Sequence, residues 1–204
     1  MSRADIARDL LETYNGAKKL TNNADMVADL LARAGRSLLQ AVKAGDIDEC
    51  RELLAIEGVD IHIKNSDDNY GMTPVMWACR IGYLDILEYL ESKGGNINDK
   101  DSFDYSCLLE ACYRGHIDIA EFLLSKGANI REITNYGSTC FYYARIHNHI
   151  DILYRLRKWP TTMAILVLQE LALIYIIDSE SLIDLHQYLG RPDDLKTDNE
   201  EDYK

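Results

Sequence analysis

Proline is scarce: Pro74, Pro160 and Pro192 are the three in 204 residues. No Ser- or Gly-rich tract accompanies them, so no long flexible linker is expected, and the length fits one domain with appendages. Basic residues are also few. Lys and Arg number 22 against 34 acids, giving a net charge of -12. Such a chain repels phosphate backbones and anionic lipid, which argues against nucleic-acid and membrane partners. Met1 to Leu10 carries no apolar stretch of the kind that opens a secretory signal, so an intracellular protein is expected, in the cytoplasm rather than the nucleus. The five cysteines, an odd number, contain no Cys-x-x-Cys pair. Cys50, Cys79, Cys107, Cys112 and Cys140 therefore read as small core hydrophobes in a reducing compartment.

Motifs for chemistry are missing too. There is no Gly-x-Ser-x-Gly, no phosphate loop and no His-Glu-x-x-His, so an enzyme is not expected. His62, His116, His147, His149 and His186 lack the second ligand pair that a structural zinc needs, and neither metal nor cofactor is expected.

The 47% of hydrophobic residues is instead organised by a repeat, and residues enough are present to bury a sizeable core. Ala41, Ala78, Ala111 and Ala144 stand 37, 33 and 33 residues apart. The first three begin an Ala-x-x-x-Gly run ending at Gly45, Gly82 and Gly115, and the fourth ends at Asn148. An aliphatic-Asp pair follows each: Ile47-Asp48, Leu84-Asp85, Ile117-Asp118 and Ile150-Asp151. Recurrence at the repeat period gives these aspartates a structural task, helix capping or charge at the positive end of the helix dipole. A helical apolar stripe comes next, closed by Gly58, Gly94 and Gly127 in the first three copies. Thr73-Pro74 suits the start of a short helix, Ala78 a close helix approach, and Gly82 the turn into a second helix. One such helix pair leaves an apolar face that only a neighbouring pair can cover, so the pairs must stack.

The run Asp68-Asn-Tyr-Gly71-Met-Thr73-Pro74-Val-Met-Trp-Ala78-Cys-Arg-Ile-Gly82 resembles the ankyrin repeat. Asp101 to Gly115-His116 and Thr134 to Asn148-His149 repeat the pattern, with Cys107 and Cys140 in place of the proline. Met76, Leu109 and Tyr142 stand where the family carries a histidine, and these departures weaken the local turn network while keeping the spacing. His116 and His149 occupy the family's other histidine position, at the turn between helices. The resemblance covers about residues 36–158 and implies an all-α repeat solenoid with short β-hairpins. Its expected units are 36–67, 68–100, 101–133 and 134–158. An N-terminal helical cap is expected over 1–35, with helices from Ser2 to Tyr14, stopping at Asn15-Gly16, and from Ala24 to Ala34, stopping at Gly35. Beyond Trp159-Pro160, a C-terminal helical cap is expected over 159–190 and an acidic disordered tail over 191–204. The last twelve residues hold six carboxylates and two lysines, net -4.

The resemblance also implies a protein that binds another protein, monomeric when alone, through the concave face and the hairpin tips. On the tips the expected contact residues are Asn69, Tyr70, Met72, Phe103, Tyr105, Tyr136 and Ser138; on the inner helices they are Arg80, Tyr113 and Arg114. Tyr70, Phe103 and Tyr136 fall one repeat apart and would form an aromatic ladder of the kind interface hot spots use. The same rings would also suit packing between adjacent hairpins. The apolar segment from Thr161 to Ile177, with Gln169 and Glu170 in its middle, is read as a buried cap. The alternatives are an exposed docking face, which would make the chain a structural or regulatory subunit of a larger assembly, and a membrane span, for which it is short.

Overall fold

Hydroxyl side chains open three helices at a 33-residue spacing in the computed structural model, which describes residues 3–19, 24–64 and 70–156. Thr73 Oγ1 accepts the amide of Met76 at 3.4 Å, Ser106 that of Leu109 at 3.4 Å, and Thr139 that of Tyr142 at 3.2 Å. Each satisfies an amide that the first helical turn leaves without a partner. The cap therefore survives where Cys107 and Cys140 replace the proline.

Nine helices follow in the described residues: α1 (Arg3–Lys19), α2 (Ala24–Ala44), α3 (Ile47–Leu54), α4 (Pro74–Ile81), α5 (Leu84–Ser92), α6 (Cys107–Arg114), α7 (Ile117–Ser125), α8 (Cys140–Ile146) and α9 (Ile150–Leu156). Helices α2/α3, α4/α5, α6/α7 and α8/α9 form antiparallel pairs, with α2, α4, α6 and α8 stacked as an inner layer beside an outer layer of α3, α5, α7 and α9. The stacking covers the apolar face of each pair. Ala41, Ala78, Ala111 and Ala144 are fully buried between layers, as are Leu53, Met76, Leu87, Leu90 and Leu123. Burying an aliphatic side chain of that size contributes about 1.5–3 kcal/mol.

The turn inside each pair recurs too. The amides of Asp46, Tyr83, His116 and His149 donate to the carbonyls of Ala41, Ala78, Ala111 and Ala144. Closing the first helix this way needs a left-handed residue one position earlier. Gly82 and Gly115 supply it at φ 104° and 85°, and Asn148 at φ 58°; Asn is among the few non-glycine residues that tolerate this region. The recurring aspartates lie in the first turn of the second helices, where their charge meets the dipole. They are not the caps: those positions belong to Asp46, Tyr83 and His116.

Two boundaries differ from the sequence reading. Helix α1 runs through Gly16 to Lys19, burying Ala7, Leu10, Tyr14 and Ala17 on one stripe against α2 and α3. Helix α2 does not stop at Gly35 but continues for nine more residues, so the expected cap helix and the first inner helix are one. Gly35 is a packing residue: a Cβ there would stand 2.7 Å from Ile63 Cδ1. The hairpins are slight, with one antiparallel bridge, Lys100 to Ser106, among the described residues.

All five cysteines are buried and unpaired by disulfides. Cys79 meets Cys107, and Cys112 meets Cys140, across successive unit boundaries. Burial and the partner thiol raise Cys79 well above the usual range, the partner thiol and burial do the same for Cys112, and burial with Glu49 nearby takes Cys50 to about 12. Thiols held in this form are packing groups, not nucleophiles. The chain divides after Leu156. The expected C-terminal helices and acidic tail lie in residues 157–204, outside the described residues, as does Asn69.

Candidate functional site

Two fingers between helix pairs are each positioned by one buried oxygen. Asp101 Oδ1 accepts the amides of Phe103 and Tyr105 at 2.8 and 2.9 Å. One repeat later Thr134 Oγ1 accepts those of Tyr136 and Ser138 at 3.3 and 3.2 Å. Asp101 and Thr134 are 8% and 3% exposed, so the amides they hold fix the loop to the core. Each finger is tied to the next: the Ser102 amide donates to the Tyr70 carbonyl at 2.9 Å, and that of Asn135 to the Phe103 carbonyl at 3.4 Å.

The rings carried on this frame fall into two groups. Tyr70 and Phe103 meet with centroids 5.8 Å apart, and the Arg80 guanidinium lies 5.3 Å from the Tyr70 ring. Tyr136 stands 73% exposed, so the expected ladder is a pair plus an outlying ring. Tyr105 and Tyr113 join a separate cluster around Tyr143, with centroids 5.4 Å away in both cases. The hydroxyls of Tyr105 and Tyr143 hydrogen-bond to each other. Burial, then that bond, push the Tyr105 phenol above its ordinary range. His147 meets Tyr113 at 4.4 Å. Ser138 is half-buried at the base of its finger. Met72 is fully buried, with its sulfur 3.6 Å from Arg80 Nη1. It supports the arginine from beneath and offers no surface, because the finger folds its side chain inward.

Glu110 organises the cations. Its carboxylate is 5% exposed and receives Arg80 at 3.3 Å from the neighbouring pair and Arg114 at 3.7 Å from its own helix. Burial raises the Glu110 pKa, and the two guanidiniums oppose that rise. Lys43 lies 4.1 Å from the centroid of Trp77, which Arg80 also approaches at 5.6 Å. Lys43, Trp77, Glu110 and Tyr143 were not singled out from sequence. The register contains them: Trp77, Glu110 and Tyr143 are one repeat apart, each just before an alanine of the series.

The turn histidines are structural. His116 Nε2 is 3.2 Å from the Arg80 carbonyl oxygen, and His149 Nε2 is 3.0 Å from that of Tyr113. No group of three or more His, Cys, Asp or Glu side chains among the described residues is placed to hold a metal ion, and no helix among them is long and apolar enough to cross a membrane.

A family model for ankyrin repeats in three copies matches residues 3–101, and a second, for ankyrin repeats in many copies, matches residues 108–157. The chain belongs to the ankyrin-repeat family. The match to these ankyrin repeats begins at Arg3, inside the segment expected to be a cap, in keeping with α1 packing on α3 as an outer helix would. The chain is also similar to the E3 ubiquitin-protein ligase Ufd4 of Drosophila melanogaster, at 34% identity over 66 residues. The alignment takes in 32% of this chain and spans 2% of the length of that protein.

Proposed function

We propose that this chain is a recognition module or adaptor that binds a partner protein through its inner-helix face and finger tips. Ankyrin repeats are generic protein–protein interaction modules and typically non-enzymatic. The observation that carries the finer reading is the setting of Tyr136 and Tyr70. They are 73% and 43% exposed, and the finger that carries Tyr136 is held at its base by the buried Thr134. Exposed aromatic side chains on a rigid frame lose little freedom on binding and bury a large area. Flanking arginines would set orientation and specificity.

The test compares capture of partners from native lysate by the full chain and by Tyr70→Ala/Tyr136→Ala. Loss of captured protein with the fold retained supports the reading. Unchanged capture by a folded variant removes it. The alternative of docking through residues 161–177 concerns a segment outside the described residues.

A further inference from the structure

Three cations stand on three successive inner helices: Lys43 on α2, Arg80 on α4 and Arg114 on α6. Each is braced against a ring, Lys43 and Arg80 against Trp77 and Arg114 against Tyr113 at 4.9 Å. Their heads keep access to solvent, with the side chains of Arg80 and Arg114 23% and 39% exposed. The carboxylate that meets both arginines is Glu110, so one buried negative charge faces two positive ones and Lys43 adds a third. Asp101, which also acts on Glu110, is buried and its Oδ1 already accepts two amides; Asp104 is exposed at a finger tip. In a chain of net charge -12, three cations against the one carboxylate Glu110 make this set of side chains net positive.

The strip changes character along the array. Lys43, Arg80 and Tyr113 occupy one position of the repeat, and the last unit places Ile146 there, 47% exposed. Tyr136 and Ile133 on the adjacent finger are 73% and 55% exposed. An aliphatic and aromatic end therefore follows a cationic middle.

We propose that this face takes an extended acidic peptide segment of a partner, with Asp or Glu side chains against Lys43, Arg80 and Arg114 and an apolar side chain against Ile146 and Tyr136; this rests on the recognition reading above. Glu110 and the rings hold both guanidiniums in place before binding, which leaves their outer N–H groups to receive a carboxylate in a charge-assisted bond. Charge complementarity of this kind selects the partner and steers its approach.

The experiment pans a displayed library of random twelve-residue peptides on the full chain, on Arg80→Gln/Glu110→Gln/Arg114→Gln, and on Tyr70→Ala/Tyr136→Ala. The triple variant removes both arginines together with the carboxylate they share, so no buried charge of that trio is orphaned, and circular dichroism checks the fold. Peptides selected on the natural chain are expected to be enriched in Asp and Glu, with an apolar residue at a fixed spacing, and the triple variant is expected to lose the acidic bias. By fluorescence anisotropy, a labelled selected peptide is expected to weaken by about tenfold or more when its acids become Asn and Gln, and in high salt. Selected peptides without acidic bias, or a bias that survives in the triple variant, overturn this inference alone. Selection of no peptide, or of peptides indifferent to both variants, overturns the recognition reading with it.

Discussion

His116 reaches back across a unit boundary, placing Nε2 at the carbonyl oxygen of Arg80 while its ring covers Gly82. A Cβ on Gly82 would lie 2.6 Å from the ring, and one on Gly115 would meet the ring of His149 at 2.7 Å. Tyr83 covers Gly45 in the same way. The turn of one unit is thus shaped by the residue that opens the second helix of the next.

Gly82→Ala and Gly115→Ala are expected to destabilise the fold by about 2–3 kcal/mol, combining a left-handed backbone with displacement of the histidine. Gly94→Ala, at φ 94° with open space around it, is expected to cost about 1 kcal/mol. Urea unfolding of the three variants measures the difference. Equal losses would show that the histidine contact contributes nothing.

Gly35 gives a coupled pair with Ile63. In an Ile63→Ala background, Gly35→Ala is expected to stabilise α2 by about 0.5–1 kcal/mol, the ordinary helix preference for alanine. In the natural background the gain shrinks or reverses, because the new methyl displaces the Ile63 side chain. A double-mutant cycle reads the coupling. A cycle that closes at zero would mean that the two residues do not touch.

Glu110 sets a pH dependence. Burial raises its folded pKa above the unfolded value, against the opposing pull of Arg80 and Arg114 and with Asp101 adding to the rise. The folded state then holds the proton more tightly, so this group's contribution to stability falls as pH rises from about 4.3 through the folded pKa. The stability of Glu110→Gln relative to the natural chain is therefore expected to increase from pH 4 to pH 7 in urea melts. A relative stability that decreases over that range would show that the arginines outweigh burial.

Tyr136→Ala is expected to change folding stability by less than about 0.5 kcal/mol, as for an exposed side chain away from caps and core. Phe103→Ala, half-buried and in contact with Tyr70, is expected to cost more. Thermal melts separate them. A large loss for Tyr136→Ala would place that ring in the core and remove it from the proposed recognition surface.

The layered array was legible because each stacked pair must satisfy the same constraints. A small residue at the layer contact, a hydroxyl cap and a left-handed turn recur as Ala78/Ala111/Ala144, Thr73/Ser106/Thr139 and Gly82/Gly115/Asn148. Gly35 misled because a glycine that ends a helix and one that admits a neighbour look alike in one dimension. Met72 misled because its place in the finger suggested a tip, while the finger turns its side chain under Arg80.

The sequence by itself determined the period, the helix pairs and the need to stack, because periodicity and local backbone preference act within a few residues. Only the tertiary structure decided which rings stand out and which pack, and that Glu110 gathers Arg80 from one unit and Arg114 from its own. Those outcomes depend on contacts between residues about thirty positions apart, whose burial and charge pairing exist only once one unit lies against the next.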